Sequence, residues 1–236
     1  PHGVAACAAL SAYDVAPDER GLDSSPAFSP HGKRVVDSGS CSALVWFSRN
    51  HALVAIRGTD DLSDMLHNLM VWQRQCGSGI WHAGFLAALE PVRQDLLEII
   101  GDRQVTLTGH SLGGAMAVIL ASWIKPEQID EIVTFGAPRA GQRTPDSGGV
   151  DRTGQHTRFV RALDPVPWVP TGLIFPYRHT GDMAFLDYNG NRVTSPNICK
   201  RIYHHGHALG RSIRDGHIPG TLLNAHSMAG YAKSLS

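Results

Sequence analysis

Residues 105–116 read VTLTGHSLGGAM, and this stretch decides the fold. A β-prone run ends at Gly109 and a long apolar, helix-like run begins at Leu112, so a strand turns directly into a helix around Ser111. The glycines allow a tight turn, because a backbone held close to its neighbours leaves no room for a Cβ atom. A serine on such a turn projects its hydroxyl outward at the amino end of the helix, an arrangement known as a nucleophile elbow.

Strand-like and helix-like runs alternate along the chain on both sides of this turn. Strands are predicted at 42–48, 51–58, 104–109, 131–138 and 156–163, and helices at 85–100 and 112–125. Arg49-Asn50 forms a short hairpin-like link between the first two strands, and Pro91 predicts a kink in the first helix. Strands separated by helices of this length pair in parallel. The pattern therefore predicts an α/β fold, with a central, mostly parallel sheet flanked by helices.

Two segments are rich in turn-forming residues, 17–32 and 141–155, and both are predicted to be surface loops. A hairpin is predicted at 185–195, where the chain turns at Asn189-Gly190. Neither of the loops at 17–32 and 141–155 divides the chain into two parts that could each form a separate hydrophobic core. We therefore expect residues 1–236 to form a single domain.

The composition argues against several classes of protein. The chain has 21 Lys+Arg and 21 Asp+Glu, which leaves no formal net charge, and it has no basic run to attract a nucleic acid. The longest apolar stretches, such as residues 115–124, are too short to cross a membrane. We therefore expect a soluble monomer with no nucleic-acid partner and no transmembrane segment.

The cysteines carry little information about chemistry. Cys7, Cys41, Cys76 and Cys199 are far apart and form no C-x-x-C pair, which argues against a zinc ribbon and against a dithiol redox site. One or two disulfides and four buried thiols both remain compatible with this spacing. The compartment therefore stays open, with secretion as the favoured expectation.

A serine hydroxyl is nearly inert at neutral pH unless a histidine takes its proton and a carboxylate orients that histidine. After a nucleophile elbow, the chain order is serine, then Asp or Glu, then His. Asp164 directly follows the strand-like run RFVRAL, and sites in α/β sheets collect at the carboxyl ends of strands. The other aspartates that we compared lack this placement: Asp182, Asp187 and Asp215.

The histidine must lie on a loop after the last strand and just before a closing helix. The downstream candidates are His179, His204, His205, His207, His217 and His226. Physical chemistry alone does not choose among them. The run AHSMAGYAKSL at 225–235 fits the required position best, and it contains His226.

The motifs resemble those of the class 3 (fungal-type) lipase family, which includes triacylglycerol lipases and related esterases and phospholipases. The matching stretches occur in the family's order, at 55–69, 81–89, 105–117, 133–141, 158–170, 177–185 and 226–231. The insertion at 186–224 is longer than that of the fungal enzymes and is similar to that of bacterial relatives. The cysteines also do not fall where the disulfides of the secreted fungal enzymes would place them.

This resemblance implies an α/β-hydrolase fold and a serine ester hydrolase that needs no cofactor. The family's catalytic serine, aspartate and histidine fall on Ser111, Asp164 and His226. Its oxyanion hole falls on the backbone N–H groups of Thr59 and Leu112, which would hold the negative oxygen of a tetrahedral intermediate.

Other histidines match family positions or cluster together. His82 and His179 match the family and are expected to support the site rather than to react. Residues 204–207 read HHGH and could suggest a metal site, but they lie in a basic, helix-like run without a nearby acidic partner. A solvated helix face is the better interpretation, so we predict no metal ion.

The segment after Thr59 is where members of the family carry a lid. A short helix is predicted there, within residues 60–72, and its apolar residues recur at helical spacing: Leu62, Met65, Leu66 and Leu69. This helix is either a mobile flap that exposes an acyl groove at a lipid surface or an ordinary helix packed on the core. The sequence does not choose between them.

These features predict an ester hydrolase that acts on acylglycerols or related lipid esters through an acyl-enzyme intermediate, at a lipid–water interface. A phospholipase A1-type enzyme and a short-chain esterase use the same residues and remain alternatives, because pocket shape is not legible in the sequence. An inactive lipid-binding module is the competing hypothesis from another class. The presence of Ser111, Asp164 and His226 together argues against it.

Overall fold

The computed structural model describes most of the chain. The described residues are 2–12, 31–58, 72–77, 79–142, 155–171, 176–194, 197–214 and 225–235. Their strands are β1 (Gly32–Asp37), β2 (Ser42–Phe47), β3 (His51–Ile56), β4 (Gln73–Cys76), β5 (Gly79–His82), β6 (Gln104–His110), β7 (Ile129–Phe135), β8 (Gly141–Gln142), β9 (His156–Arg161), β10 (Tyr177–Arg178) and β11 (Asp182–Leu186). Their α-helices are α1 (His2–Ser11), α2 (Ala83–Leu89), α3 (Arg93–Ile100), α4 (Leu112–Ala121), α5 (Ile198–Arg214) and α6 (Met228–Lys233).

A central sheet organises the described part of the chain. Its seven strands lie in the order β1-β2-β3-β6-β7-β9-β11. From β3 to β11 neighbouring strands pair in parallel, and β1 and β2 add an antiparallel edge. The predicted mostly parallel sheet is confirmed. Because parallel strands end at the same edge, the segments that follow β6, β7 and β9 come together there.

Both faces of this sheet are covered, as a largely parallel sheet requires. Along β7, Ile132 packs with Met116 of α4 on one face, and α2 and α3 extend the same cluster. The next residue, Val133, packs on the other face with Ala9 of α1 and Tyr231 of α6. This alternation follows from the two-residue period of a strand.

A second, smaller sheet was not predicted from the sequence. It is antiparallel, with the order β10-β8-β5-β4. Its strands are only two to four residues long. Runs of that length are too short to show a readable period.

Several element boundaries differ from the predicted ones. The helix predicted over 85–100 is divided by a 3₁₀ turn at Glu90–Val92, as Pro91 indicated. The helix predicted over 112–125 ends at Ala121, because the N–H groups of the next three residues bond to carbonyls three residues back and tighten the last turn. The strand predicted over 131–138 is β7 and stops before Gly136, which has a φ of 57°.

The predicted loops and hairpin have mixed outcomes. Most of 17–32 and of 141–155 lies outside the described residues. The turn at Asn189-Gly190 forms, with Gly190 at a φ of 89°. The return strand of that hairpin is reduced to one bridge between Leu186 and Arg192.

All four cysteines are thiols in the structure. Cys41 is buried, Cys7 and Cys76 are half-buried, and Cys199 is exposed. Neither alternative left open by the sequence is met in full, since none of these residues forms a disulfide and only one is buried. Burial raises the pKa of the Cys41 thiol to about 12, with the negative charge of Asp37 adding to the effect.

Candidate active site

Ser111 lies at the sharp turn between β6 and α4. Its φ and ψ are 55° and −128°, a positive φ that is uncommon for a residue other than glycine. Its backbone N–H donates to the carbonyl of Phe135, 2.9 Å away, which ties the turn to the end of β7. The side chain is buried, and α4 begins at the next residue. The strand–turn–helix predicted from the sequence is therefore present.

The flanking glycines are required by close backbone contact. A Cβ atom on Gly109 would collide with the backbone of Gly113, and one on Gly113 would collide with the carbonyl of Ile56 on β3. Strand β6 and helix α4 can therefore approach each other, and β3, only without these side chains. The spacing of glycines around Ser111 is thus a packing requirement as well as a turn requirement.

Asp164 is fully buried just beyond the carboxyl end of β9. Its backbone N–H donates to the carbonyl of Arg161, which closes the turn that leaves the strand. Its carboxylate accepts two hydrogen bonds besides those from histidine. The N–H of Val166 donates to Oδ1 at 2.9 Å, and the hydroxyl of Tyr231 donates to Oδ2 at 2.6 Å.

His226 lies just before α6, and its ring contacts that carboxylate. Its Nδ1 is 3.0 Å from Oδ1 and 3.1 Å from Oδ2 of Asp164. Because a carboxylate accepts, Nδ1 carries the proton in this contact. The other ring nitrogen, Nε2, is buried and has no hydrogen-bond partner. A neutral imidazole held in this way presents Nε2 as a proton acceptor.

His110, the residue before Ser111, holds the backbone of His226. Its Nε2 donates to the carbonyl of His226, and the two rings lie 4.5 Å apart between centroids. Burial lowers the pKa of His110 to about 3, and the neighbouring His226 adds to the effect. His110 is therefore neutral at ordinary pH and acts as a fixed donor.

Gly136, at the end of β7, makes room for the contact between the histidine and the carboxylate. A Cβ atom at this position would lie 2.7 Å from Oδ2 of Asp164 and 3.1 Å from Nδ1 of His226. Ser111 bonds to the residue before Gly136. Residues 111, 164 and 226, which are far apart in the sequence, therefore gather around the end of β7.

Sequence reasoning missed two contributors to this arrangement, His110 and Tyr231. Burial raises the pKa of Tyr231 well above its usual value, and the charge of Asp164 adds to the effect. The phenol therefore stays protonated and remains a donor. Their closeness in sequence to predicted site residues is the signal that could have found them. His110 directly precedes Ser111, and Tyr231 lies five residues after His226.

The remaining predicted residues have varied positions. Leu112 is the first residue of α4 and is half-buried. Thr59 and the lid candidates lie outside the described residues: Leu62, Met65, Leu66 and Leu69. Nδ1 of His82 accepts a bond from the N–H of Phe85 and caps α2. Nε2 of His179 donates to the carbonyl of Pro167 at 2.6 Å, on the turn that follows Asp164.

The other candidate acids and bases do not form such a pair among the described residues. Asp182 begins β11 and is exposed, and Asp187 accepts bonds from the turn at residues 189–191. His205 accepts the N–H of Leu163 through Nδ1. Asp215 and His217 lie outside the described residues.

Comparison with known proteins places the chain in a family. Residues 53–173 match the family described as lipase (class 3). The chain belongs to the class 3 lipase family. Within it, secreted mono- and diacylglycerol lipase 1 of Fusarium solani is 30% identical over 152 residues, which cover 59% of this chain. The match spans 45% of that relative's own length.

Solved lipase structures share the fold of this chain. Lipase II from Rhizopus niveus has a TM-score of 0.57 at 24% identity, over 78% of this chain and 77% of that one. A triacylglycerol lipase described as having a serine protease triad at its catalytic centre has a TM-score of 0.56 at 20% identity, over 80% of this chain and 78% of that one. The predicted α/β-hydrolase fold is confirmed.

The described residues also bear on membrane crossing and on metal binding. None of the helices in the described ranges combines the length and the apolar character that crossing a membrane requires. The same ranges contain no group of three His, Cys, Asp or Glu side chains arranged to hold a metal ion.

Proposed function

We propose that this protein is a serine ester hydrolase that cleaves acylglycerols or related lipid esters through an acyl-enzyme intermediate. Ser111 is the nucleophile, His226 the general base and Asp164 the residue that orients the imidazole. The observation that carries the proposal is the state of His226, whose Nδ1 is bonded to a buried carboxylate while Nε2 is buried without a partner. A proton acceptor in that state suits a nearby hydroxyl that must lose its proton.

In the first half-reaction, Oγ of Ser111 attacks the ester carbonyl as its proton moves to Nε2 of His226. The imidazolium then gives that proton to the alcohol oxygen, and the bond between the carbonyl carbon and this oxygen breaks. Water repeats the sequence on the acyl-enzyme and releases the fatty acid. The carboxylate of Asp164 stabilises the imidazolium in both halves, and the bonds from Val166 and Tyr231 keep it in place.

We infer that the oxyanion is held at the amino end of α4. The N–H of Leu112 lies in the first turn of that helix, where the helix dipole favours negative charge. No acidic residue in that turn opposes it. The N–H of Thr59 is the second donor of this proposal.

Acylglycerols are the proposed substrate class because of the relatives. The Fusarium solani protein is named a mono- and diacylglycerol lipase, and a structural neighbour is named a triacylglycerol lipase. A phospholipase A1-type activity and a short-chain esterase activity stay as alternatives. Initial rates on mono-, di- and triacylglycerol emulsions, a phospholipid and p-nitrophenyl esters of graded length distinguish the three.

Active-site labelling tests the chemistry directly. A fluorophosphonate probe should label the protein, Ser111→Ala should abolish the labelling, and His226→Ala should reduce it strongly. Ser122→Ala is the matched control, because Ser122 lies at the opposite end of α4 and bonds to the carbonyl of Ile119. Unchanged labelling of Ser111→Ala would overturn the proposal. A folded wild-type protein that takes no label would instead be a lipid-binding module without chemistry.

Three further proposals rest on the family rather than on the described residues. Residues 60–72 act as a lid, so the rate of hydrolysis should rise abruptly when a partly soluble ester passes its solubility limit. A rate that saturates smoothly through that limit would contradict this role. The protein acts as a monomer, which sedimentation velocity tests. It is secreted, as the Fusarium solani relative is named, and immunoblots of medium and cells test this.

A further inference from the structure

Leu163 is the residue just before Asp164, and its backbone has an uncommon conformation. Its φ is 69°, and among the described residues only Ser111 has a positive φ without being glycine. This left-handed region is sterically disfavoured for a residue with a Cβ atom, so contacts elsewhere must hold it. The N–H of Asp164 closes the turn on the carbonyl of Arg161. The place of Asp164 at the site therefore depends on the conformation of Leu163.

A histidine of α5 holds this turn. Nδ1 of His205 accepts the N–H of Leu163 at 3.0 Å. Neighbouring rings fix the imidazole, since its centroid lies 5.6 Å from that of Phe185 and 6.1 Å from that of Trp168. Three residues further along α5, Ala208 is fully buried in a cluster with Phe185. The acceptor is therefore anchored against β11 by its own ring and by the helix that carries it.

Nδ1 of His205 can accept this bond only while it carries no proton. Burial lowers the pKa of His205, and the positive charges of Arg201 and His204 on the same helix add to the effect. The carboxylate of Asp164 acts in the opposite direction, and the two aromatic rings that face His205 do not titrate. His205 is therefore neutral at ordinary pH, and acid turns its Nδ1 into a donor that faces another donor.

We infer that His205 is a positioning residue for Asp164, because its acceptor holds the left-handed turn that aims the carboxylate at His226. The inference rests on the proposed function and extends it to α5. Val166 and Tyr231 hold the carboxylate directly, whereas His205 acts on the backbone one residue before it. Protonation of His205 in acid should therefore loosen the turn and slow hydrolysis.

A purely structural contact between α5 and the sheet is the competing explanation, and two substitutions separate the two roles. In His205→Asn, Oδ1 takes the place of Nδ1 as an acceptor that does not titrate. His205→Leu keeps an apolar side chain beside the aromatic rings but has no acceptor. Asn has a helix propensity close to that of His, and Leu has a higher one, so neither substitution should unwind α5.

The value of kcat on a soluble ester at pH 8 measures the positioning role. We expect His205→Leu to lose roughly tenfold in kcat and His205→Asn to stay within about threefold of the wild type, because only Leu leaves the N–H of Leu163 without an acceptor. KM should change little, because the turn acts on the carboxylate and not on the substrate. An equal loss in the two variants, or no loss in either, would overturn the inference.

The matched controls are His204→Leu and His204→Asn. His204 is the preceding residue of α5, is also half-buried, and its ring lies 6.2 Å from that of Phe185. Both controls should keep the wild-type kcat. A loss in His204→Leu equal to that in His205→Leu would assign the effect to packing of the helix and overturn the inference.

The pH dependence of kcat gives a second readout, which uses only the conservative variant. Any effect of pH on His226 is common to the wild type and His205→Asn, so the ratio of their kcat values isolates His205. Because burial holds the pKa of His205 below its ordinary value of about 6.5, the wild type keeps the acceptor above pH 7 and loses it in acid. The ratio of wild type to His205→Asn should therefore be constant above pH 7 and fall toward pH 5. A constant ratio over the whole range would overturn the inference.

Proton NMR separates a failure of this inference from a failure of the proposed function, because it needs no turnover. The proton on Nδ1 of His226, bonded to Asp164, should give a strongly deshielded resonance that persists in His205→Asn and shifts or disappears in His205→Leu. Exchange of the Leu163 amide should be slow in the wild type and His205→Asn and fast in His205→Leu. Protein that shows these differences but takes no fluorophosphonate label would refute the proposed hydrolysis and keep the positioning role. Unchanged resonance and exchange in His205→Leu would overturn the inference even in an active hydrolase.

Discussion

The hydroxyl of Tyr231 donates a 2.6 Å hydrogen bond to Oδ2 of Asp164, so the closing helix α6 holds the carboxylate that in turn holds His226. The phenol oxygen of Tyr231 also accepts the backbone N–H of Arg161 at 3.0 Å, which ties α6 to the end of β9. The phenol is thus a positioning group between a strand end and the carboxylate of Asp164. Its ring also packs in the core beneath the sheet, near Phe135.

Replacing Tyr231 with Phe should remove this support while it keeps the ring. We expect kcat on a soluble ester to fall by roughly tenfold, because the carboxylate loses a hydrogen-bond donor that keeps it in position. KM should change little, because this donor does not contact the substrate. Stability should fall by roughly 1–3 kcal/mol, since the half-buried N–H of Arg161 and the buried carboxylate of Asp164 each lose a partner. Steady-state kinetics and urea denaturation measure both. Tyr203→Phe on α5, where the ring is exposed, is the control, and an unchanged kcat in Tyr231→Phe would contradict the positioning role.

Gly136→Ala should lower the rate of ester hydrolysis by more than backbone strain at this position explains. The new Cβ would lie 2.7 Å from Oδ2 of Asp164 and 3.1 Å from Nδ1 of His226, so the pair must separate. Gly39→Ala is the matched control, because Gly39 also has a positive φ, of 80°, but a Cβ there meets nothing within 4 Å. Both variants should lose about 1 kcal/mol of stability to backbone strain. Only Gly136→Ala should lose most of its activity. Equal activities in the two variants would show that neighbouring atoms shift to relieve the collision while Asp164 and His226 stay in contact.

The sequence predicted those parts of the protein in which local pattern and tertiary role agree. The run at 104–109 is apolar and β-branched because β6 is buried in the middle of the sheet, and the glycines around Ser111 mark close backbone contact. Asp164 is predicted from its position after a strand, and the structure places it just beyond β9. His226 is predicted from its position before a closing helix and from resemblance to the family, since the six downstream histidines are chemically equivalent in the sequence.

What the sequence did not predict depends on contacts between distant residues. Helix α1 has apolar and small residues all round, so no amphipathic period marks it, and it forms by packing against β3, β6 and α6. His110 and Tyr231 act through partners 116 and 67 residues away. The end of α4 at Ala121 is set by the tightened turn that follows it rather than by Pro126.

Acid should destabilise the protein below about pH 6. Burial lowers the pKa of both His110 and His156 to about 3, whereas an unfolded histidine titrates near 6.5. Between those values the unfolded chain binds more protons, so stability is complete above pH 6.5 and is lost as the pH falls. Each histidine should contribute a loss of up to roughly 1 kcal/mol per pH unit, measured by urea denaturation at pH 7, 6 and 5.

A substitution distinguishes this cause from general acid effects. His156→Gln removes one buried titrating group, whose ring nitrogens face the hydroxyls of Thr134 and Thr180. The variant should start less stable but show a flatter dependence on pH. His207→Gln, at an exposed position of α5, should keep the wild-type slope. A slope that is the same in all three proteins would assign the acid sensitivity to other groups.

Gly206→Ala should stabilise the protein, because Gly206 lies inside α5 and a Cβ atom there meets nothing within 4 Å. Glycine in a helix interior costs roughly 0.5–1 kcal/mol relative to alanine, so the melting temperature should rise by about 1–4 °C for a chain of this size. Gly113→Ala is the opposite case within another helix, since its Cβ would collide with the carbonyl of Ile56 and should lower the melting temperature sharply. A lower melting temperature for Gly206→Ala would mean that α5 is not helical at that position in solution.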